Sequence, residues 1–200
     1  MKNRQHMSAD QRRSVTVNTV IELAAHHNPS DITTAAIAKH MDVTQGALFR
    51  HFPNKEAIWQ AVIEWVTDRL LKRVNIAIDC YSDPIDALQA VFLTHIDFVS
   101  NHPGVPRMLF GELQRAEDTM PKKTARRLLQ KYAERVSFLI EKGKSEKLIC
   151  PNIDTTAAVT FFIGSIQGLV MQALLAGEFK SMQDKALGVF IIFRKGIVNN

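Results

Sequence analysis

The 200-residue chain has only two cysteines, Cys80 and Cys150. Two isolated thiols build no disulfide framework and no four-ligand zinc site, and they suit a reducing cytoplasm. Seven prolines and nine glycines are too few for a fibrous or low-complexity chain. The glycine-rich loop that cradles phosphates is missing. His95-x-Asp97 and His26-His27 are the clusters closest to chemistry, and neither has metal-ligand or triad support. The expectation is therefore no enzyme, no cofactor and no metal. The N-terminus is polar, without the apolar run of a signal peptide. Residues 155–177 lack charge and are nearly long enough to span a bilayer. However, Thr160, Ser165, Gln167 and Gln172 interrupt them, so a buried helix is expected rather than a membrane span.

What is present is enough apolar material for a real core, at 46% of residues. The net charge is +5 and the pI about 9.3, which allows a polyanionic partner without demanding one. The distribution is more telling. Residues 1–55 carry +3 and five of the seven histidines, whereas residues 56–200 carry only +2. The basic excess is concentrated at the N-terminal end.

Helical periodicity dominates throughout. Val17, Val20, Ile21 and Ala24 mark the inner face of a first helix over about 8–26. Asn28-Pro29-Ser30-Asp31 forms a break. Thr33 or Thr34 caps a second helix ending near residue 40, and Thr44 caps a short third helix ending near Arg50. Pro53 stops that helix, and Asn54 caps a fourth over 55–79. Asp83-Pro84 starts a fifth, to about 101. Further helices are expected near 107–115, 121–143, 155–176 and 182–198. The pattern predicts an all-α fold of about nine helices.

Residues 33–52 read as a helix-turn-helix. Ala38 is small enough for a steep crossing, and Ile37, Val43, Leu48 and Phe52 are the expected locking residues. Asp42 takes the turn position, where glycine would adopt a left-handed conformation more easily. Thr44 then presents the first turn of the third helix outward, as a recognition helix requires.

The run Ile37-Ala38, Val43-Thr44, Gly46, Leu48 and Arg50-His51-Phe52-Pro53-Asn54-Lys55-Glu56-Ala57 resembles the DNA-binding domain of the TetR family of bacterial transcriptional regulators. The resemblance covers residues 33–59. Beyond residue 80 only the helical layout is similar. It implies a three-helix DNA-binding domain over 1–54 and a helical ligand-binding and dimerisation domain over 55–200, with the long fourth helix as connector. It also implies base contacts from Thr44, Gln45 and Gly46. Gln45 can bond adenine in a bidentate fashion, and Gly46 permits close approach of the backbone. Phosphate contacts are implied for Thr33 or Thr34, Phe49, His51 and Lys55, with Arg50 able to join them. Phe49 stands where the family usually has tyrosine, so a phenolic phosphate contact is missing. Asp42 stands where it usually has glycine.

The last two predicted helices are unusually apolar, and Gly164, Ser165 and Gly168 allow close helix approach. The expectation is a homodimer through these two helices, on a palindromic double-stranded operator. The family's middle helices enclose an effector. The candidate lining residues here are Phe92, His95, Ile96, Phe98, Val99, Met108, Phe110, Phe161, Gln167 and Met171, with His95 and Gln167 as orienting groups for a small apolar or amphipathic molecule. The functional expectation is a cytoplasmic, ligand-released repressor. The alternative is a DNA-binding regulator controlled by a protein partner.

Overall fold

Local capping chemistry sets most helix boundaries. In the computed structural model, which describes residues 8–199, helix α1 spans Ala9–His26. It opens on a reciprocal capping box: Gln11 N–H donates to Ser8 Oγ at 3.2 Å, and Ser8 N–H donates to Gln11 Oε1 at 2.9 Å. A 3-10 turn follows at Pro29–Asp31. Helices α2 (Thr34–His40) and α3 (Gln45–Phe49) come next. Then come α4 (Lys55–Asp79), α5 (Pro84–Asn101), α6 (Gly104–Leu113) and α7 (Met120–Ser145). Helices α8 (Thr155–Ala176) and α9 (Lys180–Ile197) complete the chain. The described residues thus form an all-α fold of nine α-helices, as their periodicity predicts.

The chain divides into two units. Among the described residues, the first comprises 8–66 and 102–125. Within this unit α6 packs against α1. Gly104 permits this contact: a Cβ there would stand 2.0 Å from the Ile21 carbonyl oxygen and 2.9 Å from Ala25 N. Helix α6 starts earlier than the sequence suggests. Pro106 lies in its first turn, where a missing N–H costs nothing. The carboxylate of Glu112 is buried near the end of α6. It accepts from Thr119 Oγ1 and lies 3.9 Å from the Arg115 guanidinium.

The second unit comprises residues 67–101 and 126–199. Its centre is aromatic. Phe92 of α5 meets Phe162 of α8 edge-on at 5.3 Å and Phe190 of α9 at 5.7 Å. The C-terminal end is pinned by backbone bonds from Cys150 N–H to Ile197 O at 2.9 Å and from Asn199 N–H to Leu148 O at 3.0 Å. Cys80 and Cys150 are free thiols.

Candidate nucleic-acid interface

The site is built from two short helices and the turn between them. Ala36 N–H donates to Thr33 Oγ1 at 3.1 Å, and Ala47 N–H donates to Thr44 Oγ1 at 3.1 Å. Each bond satisfies one of the amides left open at a helix start. Thr33, rather than Thr34, is therefore the cap of α2. Asp42 adopts φ 55°, the left-handed conformation expected of the turn, and Val43 N–H returns to Ala38 O at 3.0 Å. Ile37, Ala38, Leu48 and Phe52 are buried and lock the pair. Val43 does not share in this, contrary to expectation. It is 37% exposed, because the turn that Asp42 makes directs it away from the crossing.

Thr44, Gln45, Gly46, Phe49 and Arg50 form an exposed surface, and Thr33 is exposed beside them. Gln45 Nε2 donates to Thr34 Oγ1 at 2.7 Å, so the base-reading candidate is held against α2. His51 is half-buried. Arg13 braces the motif from α1. Its guanidinium lies 5.1 Å over the Phe52 ring and 3.4 Å from Glu64.

Lys55 is placed differently from its expected role. Its Nζ donates to Ser30 O at 3.0 Å and Pro29 O at 3.5 Å, and it lies 4.8 Å over the Trp59 ring. Burial pushes its pKa below the ordinary value, Asp31 opposes that shift and Arg115 adds to it. The ammonium ties the 28–31 turn to the start of α4 instead of pointing outward. Sequence spacing could not show this, because the two carbonyls come from a turn 25 residues earlier.

The effector candidates separate into groups. Phe92, Ile96, Phe98 and Val99 are buried in the second unit, and His95 lies among them on α5. Met108 is buried and Phe110 half-buried on α6, which belongs to the first unit. Phe161, Gln167 and Met171 line no interior. They are exposed on one face of α8, so Gln167 is no buried orienting group. Tyr132 of α7, which the sequence reading missed, is buried with its ring centroid 5.1 Å from that of His95. Its signal was there to read: Leu128, Tyr132 and Val136 recur every four residues on one helical face.

An outward, capped recognition helix of this kind defines a helix-turn-helix DNA-binding regulator. Residues 18–62 match the family model described as bacterial regulatory proteins, tetR family. The chain is 28% identical over 170 residues to the nucleoid occlusion factor SlmA of Marinobacter nauticus, covering 82% of this chain and 86% of that one. It is 25% identical to SlmA of Vibrio cholerae, covering 84% and 86%. The fold is shared with the fatty acid degradation regulator FadR of Bacillus halodurans at TM-score 0.83 and 16% identity, over 92% of this chain and 95% of that one. It is also shared with the ketosteroid transcriptional regulator KstR2 of Mycobacterium tuberculosis at TM-score 0.79 and 18% identity, over 94% and 96%. Residues 18–62 thus form a DNA-binding domain of the TetR family of bacterial transcriptional regulators, and the whole chain shares the fold of such regulators.

Proposed function

We propose that the chain is a homodimeric repressor that reads a palindromic operator in the cytoplasm and is released from it by a small molecule held in its second unit. Thr44, Gln45 and Gly46 read base edges. Thr33, Thr34, Phe49, Arg50 and His51 lie along the backbone. Lys55 positions the motif by fixing the 28–31 turn. Dimerisation is supported by the outer face of α8 and α9, where Phe161, Leu175 and Ile192 are 56%, 82% and 66% exposed. Phe161 stacks on Phe193 of α9 at 6.1 Å, which joins the two helices along this face. A second copy would cover an apolar surface that water otherwise wets.

The observation that carries the effector reading is a pair of buried polar atoms, one on half-buried His95 and one on buried Tyr132. His95 Nδ1 and the Tyr132 hydroxyl both lack a hydrogen-bond partner inside an apolar core. Native cores rarely leave such groups unsatisfied without a reason. The test is a thermal-shift panel of small molecules, followed by operator binding with each compound that shifts the transition. The expected result is a compound that raises the melting temperature and weakens operator binding tenfold or more. Operator affinity unmoved by every binding compound would contradict this reading.

A second reading has its own support. The curated relatives carry the name nucleoid occlusion factor, which describes nucleoid occlusion and mentions no small molecule. It supports a DNA-binding protein controlled by a protein partner, and the failed outcome above would favour it.

A further inference from the structure

His95 of α5 and Tyr132 of α7 meet edge-to-face, with their rings inclined at 66°. His95 Nδ1 and the Tyr132 hydroxyl are left without a hydrogen-bond partner. Their helical neighbours are apolar: Phe92, Ile96 and Val99 on α5, and Leu128 and Val136 on α7, all buried. Arg135, one turn from Tyr132, and Arg73, whose partner Asp97 lies two residues from His95, are engaged in other contacts. The Arg135 guanidinium donates to Asn75 Oδ1 at 2.6 Å and Lys131 O at 2.7 Å. Arg73 pairs with Asp97 at 3.2 Å.

We infer that His95 and Tyr132 are the polar recognition point of the effector site, and that the effector is an uncharged, largely apolar molecule bearing a single hydroxyl or ketone oxygen. This rests on the effector reading above and names the chemistry that reading leaves open. A ligand hydroxyl accepts from the Tyr132 O–H and donates to unprotonated Nδ1. A ketone accepts from Tyr132 and from the Nδ1–H tautomer. Either oxygen satisfies both orphaned groups at once. A carboxylate would meet two neutral groups there. Burial pushes the His95 pKa down to about 4 and the Tyr132 pKa upward, so both stay neutral at neutral pH. A buried anion beside two neutral groups is poorly compensated.

The test uses four probes sharing one ring system: 2-naphthol, 2-acetonaphthone, naphthalene and 2-naphthoate. Their dissociation constants are measured at pH 7.5 with the full chain and with Tyr132→Phe. The naphthol and the ketone should each bind at least tenfold tighter than naphthalene or naphthoate. Tyr132→Phe should abolish that advantage and leave naphthalene unchanged. The variant's melting temperature should match or exceed that of the parent, because an unpaired hydroxyl has been removed. If the variant does not fold, the probe ranking in the parent protein decides alone. Naphthoate binding as tightly as naphthol, or a naphthol advantage that survives Tyr132→Phe, overturns this inference while leaving the effector reading standing. No binding by any probe overturns both.

Discussion

The ionisation of His95 is coupled to the fold through burial of its imidazole. Burial lowers its pKa from 6.5 to about 4, so as pH falls the unfolded chain takes up its proton before the folded chain does. The stability this contributes is full above pH 6.5, is lost between pH 6.5 and 4, and changes no further below 4. The shift corresponds to up to about 3 kcal/mol. Urea midpoints across this window should fall in the parent, and the fall should be much smaller in His95→Leu. Equal slopes in the two proteins would show that His95 is not buried as described. Single residues were legible where their chemistry is local. Thr44, Asp83 and Asp154 cap their helices as their side chains dictate, with amide-to-oxygen distances of 3.1, 2.7 and 3.0 Å. Lys55 and Tyr132 were not, because their partners are distant in sequence and a one-dimensional pattern records no such contact.

Among the elements, α6 depends on its approach to α1. Gly104→Ala places a methyl group against the Ile21 carbonyl, and backbone cannot move aside cheaply. The substitution should destabilise the first unit by about 1–3 kcal/mol in chemical denaturation. Gly111→Ala on the same helix meets no atom within 4 Å and should stabilise by roughly 0.5–1 kcal/mol, since alanine is the better helix former. Two substitutions with the same effect would contradict the α1–α6 packing. Helices α4 and α5 were read to their ends, because Asn54 and Asp83 cap them, with Pro84 in the first turn of α5. Helix α6 was misplaced because Pro103 and Pro106 read as a break, although the second lies inside its first turn. Its membership of the first unit is a packing fact that no local periodicity carries.

For the molecule as a whole, the proposed dimer rests on the outer face of α8 and α9. The sequence marks both helices as unusually apolar and predicts that a second copy covers them. Phe161, Leu175, Leu187, Ile191 and Ile192 are exposed in the single chain. The apolar composition was legible, but which side chains fill the core and which remain on the outer face was not, because composition does not separate a core from an interface. Ile192→Glu places a charge on this face without disturbing the core, since Ile192 is 66% exposed. Sedimentation should show a dimer becoming a monomer, with operator affinity falling at least tenfold as the paired recognition helices separate. A persistent dimer would rule out this face as the interface.

The central claim is that α3 reads DNA sequence as one of a symmetric pair, and footprinting of the purified chain on DNA of its own genome tests it most directly. The account predicts a protected palindrome with half-sites one helical turn or a multiple apart. Raising salt should weaken that protection. Gln45→Ala should cost about 1–3 kcal/mol at the palindrome while leaving binding to unrelated DNA unchanged. Protection without two-fold symmetry, or a Gln45→Ala protein that discriminates as well as its parent, would contradict it.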